Sequence, residues 1–227
     1  AGVDTKGLLA LPDRFTNTYI KPLRQGISEL TYEDPRIDFE NFTSLEEAAQ
    51  EQLIDALHAL SGVDVLLVCD QMAYGCVTEK VRKAVEKLAA KGLPVVVDSR
   101  QNAGVFRHAM VKPNRYEAAQ ATGEEDMERA ALQLSQTTGK PAVVTLGAEG
   151  CLLVENGVAH HIPAVQVPPP HDYVGAGDAF MAAFSLAAAA GEGLQQACTL
   201  GNAAAAVVIQ KLNTTGTATR QELEAIW

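Results

Sequence analysis

The segment Asp172-Tyr-Val-Gly175-Ala176-Gly177-Asp178 carries the strongest chemical signal in the sequence. Three small residues stand just before an apolar run that favours a helix. The first N–H groups of a helix have no partner inside it, so they bind an anion, and glycine lets a ligand come close to them. A carboxylate in that first turn, Asp178, is placed to take a proton from a hydroxyl beside the anion. The same letters also describe a glycine-rich turn followed by an acidic helix start favoured by the dipole. Taken alone, the motif allows both readings.

Four further groups could join such a site. Asn114 and Glu117, in Lys112-Pro113-Asn114-x-x-Glu117, share a face of a first helical turn and could hold phosphate or hydrated Mg²⁺; a capping box explains the same spacing. Thr145-x-Gly147-x-x-Gly150 follows an apolar strand and could lie against a nucleotide or form a tight turn. Asn202 interrupts a run of small residues, as a contact to a base or sugar or as a packing amide. Asp98-Ser-Arg100 sets an acid and a base at one strand end, with a surface ion pair as the duller alternative. The five histidines show no metal spacing, and no G-x-S-x-G, H-E-x-x-H or Walker lysine loop occurs.

These residues need elements to position them. Asn17–Tyr32 reads as two short strands, NTYIKPL and ISELTY, around Gln25-Gly26. Ser44-x-x-Glu47 predicts a capped helix whose Leu53, Ile54, Leu57 and Leu60 share one face. Apolar strands follow at 64–69, 94–98, 109–111 and 141–146, separated by helical patterns at 78–91, 114–121 and 124–136. Asn156-Gly157 predicts a hairpin between 151–154 and 158–162. Helices are expected at 176–190 and 194–211, with a short one near the end of the chain. Apolar strands alternating with amphipathic helices indicate an α/β fold with a largely parallel sheet covered on both faces, and ligands bind beyond the carboxyl ends of such strands.

The 227 residues suit one α/β domain, and 47% apolar with 20% charged residues excludes global disorder. A net charge of -10 argues against nucleic acid or an anionic membrane as partner. Nine acidic residues against Arg36 alone between Glu29 and Asp55 read as a solvated surface. The four cysteines, Cys69, Cys76, Cys151 and Cys198, form no C-x-x-C pair, Cys69 and Cys198 lie in apolar runs, and all are expected to be reduced core thiols of a cytoplasmic protein.

The order of the motifs is more specific than any one of them. Lys112-Pro-Asn114-x-x-Glu117, Thr145-x-Gly147-x-x-Gly150, Asp172-x-x-Gly-Ala-Gly-Asp178 and Asn202 together resemble the ribokinase-like (PfkB) carbohydrate kinases over essentially the whole chain. The resemblance implies a ribokinase-like three-layer sandwich with a small β lid to which 17–32 contributes. It implies Asp178 as catalytic base and Gly175, Ala176 and Gly177 as the anion hole. Asn114 and Glu117 would organise Mg²⁺ and phosphates, with Glu117 reaching the metal through water. Thr145, Gly147, Gly150 and Asn202 would line the ATP site, and Asp172 with the Val174 carbonyl would match a monovalent-cation (K⁺) site. The acceptor would be a sugar or sugar phosphate.

Gly2–Thr5, Asp13–Thr18 and the stretch around Asp70 look most like the bacterial heptose-phosphate kinases. Tyr173 stands where the family usually has Thr, the run after Asp70 lacks Asp-Tyr-Gly-Lys-Gly, and Asp98-Ser-Arg100 replaces Asp-Pro-Lys. The family's opening strand, its substrate-gripping Asp and its Gly-Gly-x-x-x-Asn motif are not in this sequence, so residues 1–227 are expected to be one ribokinase-like domain truncated at its N-terminus. An exposed lid edge would suit a homodimer. The rival expectation is a non-catalytic nucleotide-binding relative or an inactive fragment.

Overall fold

The fold is described from a computed structural model, for residues 2–26 and 31–226. The chain opens with two nested antiparallel ribbons. In chain order the strands are β1 (Thr18–Ile20), β2 (Leu23–Gln25), β3 (Thr31–Glu33) and β4 (Ile37–Phe39), with β2 on β3 and β1 on β4. The expected single hairpin over 17–32 is thus divided. Pro22, which has no N–H to give a ladder, separates β1 from β2, and its carbonyl accepts from Asp34 N at 3.0 Å. The β1 partner lies beyond the expected boundary, in β4, and residues 27–30 of the second expected strand fall outside the described residues.

The body follows as α1 (Glu47–His58), β5 (Leu66–Asp70), α2 (Glu79–Ala90), β6 (Val95–Ser99), β7 (Met110–Val111), α3 (Arg115–Thr122), α4 (Met127–Thr138) and β8 (Ala142–Thr145). It ends with β9 (Cys151–Glu155), β10 (Val158–Ile162), α5 (Ala176–Ala189), α6 (Leu194–Val208) and α7 (Arg220–Ile226). The main sheet has the order β10-β9-β8-β7-β6-β5, parallel from β5 to β8 and antiparallel through β9 and β10. The Asn156-Gly157 turn has both residues at positive φ, as the hairpin signal requires.

Side-chain alternation divides the core in two. Val68, Val95, Val97, Ala142, Val144 and Val154 face α2, α3 and α4, packing on Val85, Ala118 and Leu134. Val96, Val143, Cys151 and Leu153 face α5 and α6, packing on Phe180, Phe184 and Cys198. Each layer buries apolar surface that neither helices nor sheet could bury alone. Gly201 lets α6 approach α5, since a Cβ there would stand 2.9 Å from the Phe180 ring.

Three sequence expectations are corrected here. Helix α1 starts at Glu47 with Glu46 as an uncapped N-cap, because Leu45 is buried and holds the preceding backbone extended past Ser44. Leu60 lies beyond that helix and is exposed. Cys69 and Cys76 are exposed rather than core thiols: Cys76 lies in the loop before α2, and Cys69 is on β5, the last strand of the described sheet. Cys198 is buried as expected, and its thiol is pushed far up by the Cys151 sulfur beside it and by burial.

Candidate active site

The carboxyl ends of β5 to β8 and the N-terminus of α5 form one rim. Gly175 makes the entry to α5: it holds φ +82, and a Cβ on it would meet Thr215 Cγ2 at 2.9 Å. Ala176 N bonds the Tyr173 carbonyl at 3.3 Å, and Ala179 N bonds Gly175 O at 2.9 Å. Between them, the N–H groups of Gly177 and Asp178 find no acceptor among the described residues. Two donors therefore point out of the helix end beside the Asp178 carboxylate, both residues being exposed.

Asp172 stiffens this turn. Its two carboxylate oxygens accept from Val174 N at 3.1 Å and Asn213 N at 3.0 Å, tying the loop before α5 to the loop after α6. On the other side, Asn114 and Thr145 are brought together as a parallel bridge, with Thr145 N bonding Pro113 O at 3.0 Å. Asn114 and Glu117 form a reciprocal capping box, Asn114 Oδ1 accepting from Glu117 N and Glu117 Oε2 from Asn114 N, each at 2.9 Å. Glu117 Oε1 accepts nothing among the described residues. Burial raises the Glu117 carboxyl above its usual range, and the backbone bond from Asn114 pulls the other way.

Two sequence candidates are committed elsewhere. Asn202 is buried, and its amide nitrogen donates to the carbonyls of Ile162 and Pro163 at 3.2 and 3.0 Å. Its side chain fastens α6 to the end of β10, so the packing alternative describes its donors. Gly150 is buried with φ +96, and a Cβ there would collide with the Ile162 carbonyl. Gly147 is exposed at φ +64 and starts the tight turn that Gly150 closes. The Thr145–Gly150 motif is therefore a strand-to-strand turn whose open side is Thr145 and Gly147.

Sequence reasoning missed two features. Asp98 pairs with Lys112, not with Arg100: Lys112 Nζ lies 2.9 Å from Asp98 Oδ2, while Arg100 Nε bonds Gln71 Oε1 at 2.9 Å. The period of two could have shown it, since Val96 and Asp98, like Met110 and Lys112, share the α5 face. Asp70 is buried on the opposite face, its Oδ2 accepting from Ser99 Oγ at 2.6 Å and Asn102 Nδ2 at 2.8 Å, beside a pocket of about 310 Å³. The ribbons reach the same rim through Tyr19, whose hydroxyl donates to Glu40 at 3.0 Å, with the Arg100 guanidinium 5.8 Å from its ring.

The profile described as pfkB family carbohydrate kinase matches residues 1–221. The chain belongs to that family. It is 32% identical over 97% of its length to the bifunctional protein HldE of Gluconobacter oxydans, and 30% over 96% to that of Vibrio cholerae. It spans about half the length of these curated relatives, 47% and 46%. Among solved structures, Thermotoga maritima ribokinase superposes with a TM-score of 0.68 at 26% identity, covering 92% of this chain and 69% of that one. Escherichia coli phosphofructokinase-2 in complex with potassium gives 0.73 at 22%, covering 88% and 66%. The ribokinase-like sandwich expected from the motif order is thus the fold of this family member. No helix among the described residues is long and apolar enough to cross a membrane.

Proposed function

We propose that the protein transfers the γ-phosphoryl group of ATP to a hydroxyl of a sugar or sugar phosphate. One observation carries the reading: two unpaired backbone donors and a carboxylate share the first turn of α5 at the carboxyl rim of the sheet. Asp178 takes the proton of the acceptor hydroxyl while its oxygen attacks the γ-phosphorus, and the bond to the β–γ bridging oxygen breaks toward ADP. The Gly177 and Asp178 N–H groups, with Gly175 and Ala176 shaping the hole, meet the charge on the transferred group. Such a donor is typically worth about 3 kcal/mol.

No cluster of three metal-ligating side chains exists among the described residues. The free Glu117 Oε1 fits Mg²⁺ held through water, with the phosphates as its other ligands, and Asn114 holds that carboxylate in place. Bound there, Mg²⁺ would neutralise phosphate charge. Thr145 and Gly147 face the nucleotide side, and Asp172 with the Val174 carbonyl is the place for K⁺. The ribbons act as the lid, and their exposed Ile20, Leu23, Ile37 and Phe39 suit a second copy of the chain.

The test is Asp178→Asn. Sugar-dependent ADP release should fall roughly 10²–10⁴-fold while calorimetric ATP affinity stays near that of the parent, because the backbone donors remain. Near-normal turnover in the variant would make Asp178 a helix-start residue only. ATP binding by the parent with no sugar-dependent ADP release across a panel of sugars and sugar phosphates would select a non-catalytic binding role.

A further inference from the structure

We propose that the cavity beside Asp70 is an effector site, which takes a small molecule through an ammonium group and steadies the two ribbons. It lies on the α2 face of the sheet, opposite α5, and the kinase reading assigns nothing to it. The cavity, of about 310 Å³, is bounded by the carboxyl ends of β5 and β6, the start of α2 and the segment before α1. Leu45, Met72, Tyr74 and Val77 give it apolar wall, and Asp70 and Asn102 are among its polar lining. Asp70 is only 5% exposed. Its Oδ2 accepts from both Ser99 Oγ and Asn102 Nδ2, while its Oδ1 accepts nothing among the described residues. Among those residues only Ser185 Oγ is sealed off without a partner, so Asp70 Oδ1 opens onto the cavity.

Fastening Ser99 and Asn102 needs one acceptor oxygen, which an asparagine would supply without a charge. The charge of Asp70 is therefore left to explain, because a buried carboxylate without a cation is costly. No Lys, Arg or His lines the cavity. Its other carboxylate, Glu79, is already paired with Lys83 at 2.6 Å. Arg100 turns its guanidinium to Gln71 and Tyr19 instead. A hydroxyl ligand would give Asp70 a hydrogen bond and leave the charge unmet; an ammonium meets both needs. Asn102 Oδ1 also accepts nothing among the described residues, so it offers a second N–H of the same ammonium a partner. A divalent metal does not suit the place, since no three ligating side chains cluster among the described residues. The apolar wall suits a ligand whose remaining part is apolar.

Two wall residues also hold the ribbons. Met72 Sδ lies 3.0 Å from the Tyr19 hydroxyl oxygen of β1. The Tyr74 carbonyl accepts from Arg14, which also donates to the Thr43 carbonyl at 2.8 Å. A ligand packed on Met72 and Tyr74 restrains the loop that anchors Arg14 and Tyr19, and through them the ribbons.

Benzylammonium tests this on the full chain, with benzyl alcohol as its uncharged counterpart and KCl as the inorganic cation. The Met72 methyl resonance, identified by its loss in Met72→Leu, should shift saturably with benzylammonium. Benzyl alcohol should bind at least roughly 10-fold more weakly, and KCl at the same concentration should leave the resonance in place. Asp70→Asn, which keeps an acceptor for Ser99 and Asn102, should bring benzylammonium down to the level of the alcohol. Amide hydrogen exchange across 18–25 and 31–39 should slow about 2-fold or more when benzylammonium saturates the parent. Absence of a saturable shift, equal binding of amine and alcohol, or a matching response to KCl would overturn the ammonium site, whatever the variant's folding. Unchanged exchange in the ribbons at saturation would overturn the effector role. None of these measurements needs ATP or sugar, so their failure is distinct from failure of the kinase reading.

Discussion

Asp70 and Asp98 close neighbouring parallel strands one step apart in register, Asp98 opposite Cys69 and Asp70 opposite Ser99. Both carboxylates are buried. On the α2 face, Asp70 is met by neutral donors, Ser99 and Asn102, beside a pocket. On the α5 face, Asp98 is met by the ammonium of Lys112 under a helix end. The contrast shows what strand alternation does at a functional rim: residues one register step apart on neighbouring strands are delivered to opposite faces of the sheet. A carboxylate held by two neutral donors can lose one and keep the other. A buried ion pair cannot, because the surviving charge has no water to turn to.

The sharpest way to break this contrast is to neutralise each acid. Asp98→Asn should lower unfolding free energy by about 3–5 kcal/mol, since it strands the Lys112 charge. Asp70→Asn should cost about 1–3 kcal/mol, because the amide oxygen still accepts from Ser99 or Asn102. Urea unfolding of both variants checks the order, and an Asp70 variant as damaged as the Asp98 one would erase the distinction.

A smaller effect sharpens the α5 side. Cys69 is exposed, yet its thiol is pushed up by surrounding protein, then by Asp98 and Asp178, with Lys112 opposing. Carboxylates repel the thiolate, so alkylation at pH 8 should be slow and should accelerate as the pH rises past the usual thiol range. Removing one of those charges with Asp178→Asn should lower the thiol pKa and speed alkylation at pH 8 by a factor of about 2–3. An unchanged rate would mean that Asp178 and Cys69 do not share a field.

Most of the body was legible because its signals are local. The Asn156-Gly157 hairpin and the alternation of apolar strands with helices each need only neighbouring residues. The Gly175–Asp178 turn was legible for the same reason. The Asp98–Lys112 pair was not, because it depends on strand register across residues far apart in sequence. Cys69 was misplaced because an apolar run does not say whether its strand is central or last in the sheet. Asn202 could not be decided from a helix of small residues; only the carbonyls of Ile162 and Pro163 show where its donors go. Ser44 carried the capping letters, but burial of Leu45 decided where the helix could begin.

The nested ribbons carry a consequence of another kind, a sequence of events in time. Joining β2 to β3 closes residues 26–30, whereas joining β1 to β4 directly would close residues 21–36. The longer closure costs about 1 kcal/mol more in chain entropy, so the inner ribbon is expected to form first and hand the outer one a shortened loop. Weakening β2 therefore delays both pairings, while weakening β1 leaves the inner one at its own speed. Pairing from the inside out is the order that loop closure favours, and it ends with Tyr19, carried on the outer strand, against Arg100.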